Sequence, residues 1–294
     1  MAGTFQKLTI DDLDPAGRRV LVRVDFNVPL EGSEVADATR IEATLPTLER
    51  LIGGGGRLIL MSHLGRPKGE RDPSMSLEPV AAHLAALLGR EVGFVPDCIG
   101  EEVEEDVDLL EDGDVLLLEN LRFHQGETAN DPEFAAALAR HGELYVNDAF
   151  GTAHRAHAST EGVTAHFKER AAGYLMAREL EYLGASLEDP ARPFAAVLGG
   201  AKISGKIDVI RALRSKVDHL LIGGGMAFTF FKAQGLEIGN SLVEEDRVEM
   251  ARELLEASEA GEGAPIRLPG DVVAAAELEE GAEHRVVPSD GVPP

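Results

Sequence analysis

The chain has 294 residues, 44% of them hydrophobic, and carries 52 acidic against 28 basic side chains for a net charge of −24. That length is enough to bury a sizeable core and predicts two domains. Charges interrupt every apolar run well before the ~20 residues that a membrane helix needs, and an acidic chain with 5% aromatics offers no basic stripe or stacking platform for nucleic acid.

Cys98 is the only cysteine, which excludes an intrachain disulfide and a cysteine-based metal site. The amino terminus lacks a basic-then-apolar leader pattern, so a cytoplasmic enzyme is expected. Only seven of the 28 basic residues are lysines. Acid runs such as Glu101-Glu-Val-Glu-Glu-Asp106 repel one another in dilute salt and are screened when the Debye length falls to ~3 Å. The charge pattern therefore predicts a salt-loving source, such as a halophilic archaeon, against the alternative of an ordinary acidic mesophilic protein.

Strand-like and helical stretches alternate, as a series of βαβ units requires. Residues 19–24 read as a strand, and 40–52 as a helix with Ile41, Leu45, Leu48 and Leu51/Ile52 on one face. Residues 53–56, four glycines, end that helix because a strand at 57–61 follows them. A helix is predicted over 77–88, strands at 115–118 and 144–146, and between them a helix from Pro132 with Asp131 as its N-cap. Residues 175–187 read as a connecting helix that stops at Asp189-Pro190. Beyond it come a strand at 194–198, a Gly-rich loop and helix, a strand at 219–222, three glycines and another helix, a helix at 246–260 and a strand at 265–268. Residues 287–294 have the composition of a loop. Some three strands are few for a doubly wound sheet, so the second domain is expected to be incomplete and the chain truncated.

The basic residues cluster where the first-half strands end. Arg23-Val-Asp-Phe-Asn-Val-Pro29 with Arg40 beyond it, Ser62-His-Leu-Gly-Arg-Pro67, Glu119-Asn-Leu-Arg-Phe-His124 and Gly151-Thr-Ala-His-Arg-Ala-His157 each follow an apolar run. In an open α/β sheet, ligands bind in the crevice beyond the carboxyl ends of the strands. Four such segments in an acidic protein predict a cationic pocket for a phosphorylated metabolite. Arg40, Arg66, Arg122 and Arg155 offer planar forks for phosphate or carboxylate oxygens. Asp25 and Asn27 alternate on one strand end and can hold a substrate hydroxyl. His63 and His154 can donate to phosphate, whereas His157, His83, His141, His166, His219 and His284 have no such support, and no metal site is expected.

In the second half, Leu198-Gly-Gly-Ala-Lys-Ile-Ser-Gly-Lys-Ile207 joins a strand to a helix through glycines, a phosphate cradle to which Lys202 and Lys206 add point charges. It fits G-x-x-x-x-G-K, but Ile207 stands where a P-loop needs Ser or Thr. Gly223-Gly-Gly-Met-Ala-Phe228 repeats the junction, and its glycines serve either ligand approach or close helix packing.

RVDFNVP, SHLGRP, ENLRFH, FGTAHRAHAS, GGAKISGKI and GGGMAFTF, in this order, resemble the phosphoglycerate kinases, from about residue 19 onward. The resemblance implies an α/β protein of two doubly wound parallel-sheet, Rossmann-like domains joined by a helix, the second incomplete. The expected parts are a 3-phosphoglycerate domain (1–172), a hinge (173–188) and a nucleotide domain (189–294). It implies a monomer transferring phosphate reversibly between 1,3-bisphosphoglycerate and Mg²⁺-ADP in glycolysis and gluconeogenesis. Asp25, Asn27, Arg40, His63, Arg66, Arg122 and Arg155 would bind 3-phosphoglycerate, with Arg40 facing the transferring phosphoryl group together with Lys202 and Lys206. Gly200, Ala201, Lys202, Lys206, Gly224, Gly225 and Leu242 would form the nucleotide site. Gly205 stands where the family usually has Asp, and the family's Asn-Gly-Pro loop and magnesium-associated Gly-Gly-Gly-Asp do not occur in these residues. An inactive fragment that binds 3-phosphoglycerate, and a P-loop-like NTPase, are the competing readings.

Overall fold

In the computed structural model, residues 7–188, 190–277, 279 and 281–293 are described. The chain divides into two compact units, Met1–Gly184 and Ala185–Pro294.

The first unit opens with strand β1 (Arg19–Arg23), a short hairpin of β2 (Leu30–Glu31) and β3 (Glu34–Val35), helix α1 (Thr39–Gly53) and β4 (Arg57–Met61). It continues through α2 (Glu78–Leu88), β5 (Gly93–Val95), α3 (Glu101–Asp108) and β6 (Val115–Leu118). Helices α4 (Gln125–Ala129) and α5 (Pro132–Ala139), then β7 (Leu144–Asn147), β8 (Arg170–Ala172) and α6 (Tyr174–Glu188), complete the series. Six parallel strands pair in the order β5-β6-β4-β1-β7-β8.

Alternation along the strands sends side chains to both faces, and both are dry. Val20, Val22, Leu58, Leu60, Leu117 and Val146 pack with Ile41, Leu48, Val80 and Leu84 of α1 and α2. Leu21, Ile59, Met61, Leu116 and Tyr145 pack with Val103, Val107, Phe134 and Leu138 of α3 and α5. The chain therefore leaves β4 toward one face and the neighbouring β6 toward the other. That divergence opens a crevice at their carboxyl ends.

Local chemistry accounts for the element ends. The Asp131 carboxylate accepts the Phe134 N–H at 2.8 Å, capping α5 as its sequence predicts. Gly55, at φ +79°, turns the chain from α1 into β4. Asp148 fastens the first turn of α6 by accepting Met176 N–H at 3.0 Å, beside Thr47, whose hydroxyl accepts Tyr174 N–H at 2.9 Å.

In the second unit the order is β9 (Ala195–Leu198), α7 (Ile207–Arg214), β10 (His219–Ile222), α8 (Met226–Ala233), α9 (Val248–Glu259), β11 (Ile266–Arg267), and a hairpin of β12 (Asp271–Ala275) and β13 (His284–Pro288). Strands β9, β10 and β11 form a parallel sheet in the order β11-β10-β9. Its Leu198, Leu220 and Ile222 pack under the three helices, whereas Val197 is 74% and Leu221 39% exposed on the strands' other side.

One expectation fails here. Val287 and Pro288, read as loop, end β13 and pair with Val272 and Asp271. Alternation in His-Arg-Val-Val buries Val287, and a proline at a strand end removes no ladder bond that an edge strand needs.

Candidate active site

The four basic segments of the first unit follow β1, β4, β6 and β7, which are the four central strands of the sheet. A cleft of about 600 Å³ is lined by Arg66, Lys68, Gly69, Arg122, Gln125, Thr128, Ala129, Arg155 and His157. Five of these side chains are basic types and none is a carboxylate. Arg122 is buried and donates to Gly65 C=O at 2.7 Å, while its Nε has no partner. Burial, and then the charges of Arg155 and Arg23, lower the pKa of Arg122. Crowded cations with spare donors make a site complementary to an anion.

Asp25, Asn27, Arg40 and His63 are not part of that lining. Arg40 Nη1 pairs with Asp25 Oδ2 at 2.7 Å, and Asp25 Oδ1 is buried without a donor. Asn27 Oδ1 accepts Gly65 N–H at 2.8 Å, so it braces the loop that carries Arg66. His63 Nδ1 lies 3.1 Å from Arg23 Nη2. A guanidinium has no lone pair to offer, so Nδ1 accepts and the ring proton sits on Nε2. Burial, then the charges of Arg23, Arg122 and Arg155, push the His63 pKa from 6.5 down to about 2. His63 is thus a neutral donor. His154 is exposed, 3.4 Å from Arg155 Nε.

The loops are held from beneath by buried polar groups that the sequence pattern did not single out. Glu119 accepts Ser76 Oγ at 2.7 Å and the N–H groups of Leu77 and Asn120 at 2.8 Å. Asn120 in turn accepts from Leu64 and Arg122 N–H and donates to Leu64 and Met75 C=O. On the other side, Ser159 donates its N–H and hydroxyl to Glu127 at 2.9 and 2.7 Å, and its Oγ accepts Arg23 Nε at 2.9 Å. Burial would raise the Glu127 carboxyl, but His157, Arg23 and Ser159 outweigh it and hold it below the usual range. His157, unsupported by sequence, has Nδ1 3.7 Å from Glu127 and faces the cleft. A buried polar residue beside an arginine-bearing motif was the available signal for Arg23 and Glu119. Glu127 and Ser159 meet only through tertiary structure.

Outside the cleft, Asp97, Cys98 and His124 bring donor atoms within 4.8 Å of one another. Asp97 and His124 already share a 2.7 Å hydrogen bond, and burial pushes the Cys98 thiol well up, so ordinary packing accounts for the cluster.

In the second unit, the loop after β9 and the loop after β10 touch through backbone. Met226 N–H donates to Gly200 C=O at 2.9 Å, and Gly224 sits at φ +66°. A Cβ at Gly224 would lie 2.9 Å from Gly200 N, and one at Gly225 3.2 Å from Ala201 Cα. Close packing is what these glycines provide. Lys202 is exposed just before a 3₁₀ turn (Ser204–Lys206) and Lys206 is exposed at its end, and Leu242 is 63% exposed.

Residues 10–294 match the family model described as phosphoglycerate kinase. The chain belongs to the phosphoglycerate kinase family. It is 57% identical over 289 residues to the phosphoglycerate kinase of Chlorobaculum tepidum, covering 98% of this chain and 72% of that protein. With the Moorella thermoacetica phosphoglycerate kinase it shares 58% over 287 residues, again 98% and 72%. The structure of the Coxiella burnetii phosphoglycerate kinase superposes with a TM-score of 0.83 at 39% identity, covering 98% of this chain and 72% of that one. That of the Pyrococcus horikoshii protein gives 0.80 at 28% identity, covering 96% and 71%.

The fold is that of the family, with two Rossmann-like domains. Membership makes the chain a phosphotransferase that moves phosphate reversibly between 1,3-bisphosphoglycerate and ADP. The NTPase reading is not favoured, because one family match spans the arginine loops and the 200–206 loop alike. The relatives at 57% and 58% identity are bacterial, which does not support the archaeal source expected from charge.

Proposed function

We propose that 3-phosphoglycerate binds at the first unit's basic cleft and the nucleotide at the second unit's paired glycine loops. The observation that carries this is a cleft walled by Arg66, Lys68, Arg122, Arg155 and His157 with no carboxylate, in a protein of net charge −24. Arg66, Arg122 and Arg155 hold the phosphate of 3-phosphoglycerate, and neutral His63 donates through Nε2. The orphan Oδ1 of Asp25 accepts the substrate hydroxyl, which supplies the donor that this buried oxygen lacks. Arg40, paired to the other oxygen of Asp25 and half-exposed, neutralises charge on the transferring group.

The substrate carboxylate is ionised at neutral pH, so no general base is required. Transfer depends on positioning and on compensating phosphate charge. Lys202 and Lys206 serve the nucleotide phosphates, Leu242 offers apolar surface to the base, and Mg²⁺ arrives as part of the nucleotide substrate. The two sites lie on different units, and residues 173–188, which join them, act as the hinge that brings the sites together and excludes water. The chain works as a cytoplasmic monomer, and its acidic surface is adapted to salt. Its melting temperature therefore rises between 0.1 and ~1 M KCl, and a melting temperature insensitive to salt overturns that adaptation.

The test of function is 3-phosphoglycerate-dependent consumption of Mg²⁺-ATP, with calorimetric binding of 3-phosphoglycerate alongside. Arg66→Ala removes a bidentate, charge-assisted contact and lowers 3-phosphoglycerate affinity by about 2–3 kcal/mol, roughly 30- to 150-fold. Unchanged affinity in that variant places the phosphate elsewhere.

A further inference from the structure

Glu244 is absent from every motif considered above, yet it touches two of the three segments read as the nucleotide site and adjoins the third. Its Oε2 accepts the N–H groups of Ile203 at 2.5 Å and Ser204 at 3.0 Å, in the loop between Lys202 and Lys206. Its own N–H donates to Thr229 Oγ1 at 3.2 Å, on buried Thr229 of α8, the helix that follows Gly224 and Gly225. Leu242 lies two residues before it. No side chain within the loop caps the Ser204–Lys206 turn, whose N-cap position is Ile203. The cap is supplied from forty residues away by one carboxylate oxygen. The hydrogen bond from Ser204 is the main influence holding the Glu244 carboxyl below its ordinary range, although burial opposes it, and the two backbone N–H groups and Lys202 add to the lowering.

We propose that Glu244 is a positioning residue for nucleotide binding, acting through the backbone of the 200–206 loop to set where Lys202 and Lys206 stand. This rests on the reading of that loop as the nucleotide site. The physical need is plain. Orphan N–H groups at a turn leading into a helix must find acceptors. With Ile203 anchored in the core at 0% exposure, fixing the next two peptide units leaves the flanking lysines little freedom of direction. Two long, exposed side chains lose less entropy on meeting phosphate when their backbone is already fixed.

The experiment is calorimetric titration of the full chain with Mg²⁺-ADP and, separately, with 3-phosphoglycerate. Glu244→Ala weakens Mg²⁺-ADP binding about tenfold, with 3-phosphoglycerate affinity unchanged within about twofold. Glu244→Gln, whose carbonyl oxygen can accept the same two N–H groups, stays within about threefold of the parent. In a Lys202→Ala background the alanine change at 244 costs only about threefold, because one of the two groups it positions is gone. Where alanine compromises folding, Glu244→Met keeps the side chain's length without an acceptor and gives the same readout. A folded Glu244→Ala or Glu244→Met protein with parental Mg²⁺-ADP affinity overturns the proposal, and so does a full tenfold loss in the Lys202→Ala background. If Lys202→Ala alone leaves Mg²⁺-ADP binding untouched, the nucleotide-site reading fails, and the proposal with it.

Discussion

The two units hold their ligand loops by different means. In the first, side chains do the bracing. Arg23, Glu119, Asn120, Glu127 and Ser159 are buried and bonded to one another or to the loop backbone beneath the basic cleft. In the second, backbone meets backbone, since Gly224 and Gly225 press against Gly200 and Ala201, and Glu244 provides the one described side-chain brace on the 203–204 amides. A cleft assembled from several like charges must resist its own repulsion, which requires compensating buried carboxylates. A loop that offers mainly N–H groups and exposed lysines has no such burden.

The sharpest way to break this contrast is to remove a buried brace. Glu127 is fully buried and bonded to Ser159, whose hydroxyl in turn accepts from Arg23, with His157 alongside. Glu127→Ala removes the carboxylate whose charge compensates buried Arg23 and the acceptor of Ser159, and costs about 3–5 kcal/mol of stability, the range expected when a buried charge loses its compensating partner. Denaturant unfolding measures it, and 3-phosphoglycerate affinity falls in parallel. If the variant is as stable as the parent, the bracing is incidental.

Acid sharpens the same contrast at a smaller cost. The folded pKa of His63, about 2, is below its unfolded value near 6.5, so the unfolded chain binds the extra proton. Stability is therefore fully present above pH 6.5 and falls as pH drops, with a slope of about 1.4 kcal/mol per unit from this residue. At about pH 4.5 that amounts to ~2.7 kcal/mol relative to pH values well above 6.5. His63→Gln flattens the acid limb of a plot of unfolding free energy against pH, and an unaltered limb refutes the assignment.

What the sequence made legible follows the same division. The central strands of the first sheet carry continuous apolar runs such as Arg57–Met61 and Val115–Leu118, and their bounds were readable to a residue or so. Strands β5 and β8 are three residues each and lie at the two sheet edges, where Arg170-Ala-Ala172 offers no apolar alternation to notice. The basic residues of the cleft were visible because arginine in a loop of an acidic chain stands out. Their support was not, because Glu127 and Ser159 are bonded across 32 residues and Ile203 and Glu244 across 41. Local pattern shows which side chains reach a ligand and is blind to what holds them there.

The smallest effect tests the backbone half of the contrast. Gly224 has φ +66°, and a Cβ there would lie 2.9 Å from Gly200 N and 3.1 Å from Gly200 O. Neither atom can rotate away, because both belong to the loop backbone, so Gly224→Ala must move the loop or the start of α8. The strain costs about 1–3 kcal/mol and weakens Mg²⁺-ADP binding, while 3-phosphoglycerate binding in the first unit is unchanged. Gly205 supplies the control: nothing lies within 4 Å of a Cβ built there, and it has no positive φ. Gly205→Ala is therefore neutral or slightly stabilising, through loss of unfolded-state freedom. If the two alanine variants bind Mg²⁺-ADP equally well, the contact between the glycine loops is not what shapes the nucleotide site, and Glu244 and the lysines must do so alone.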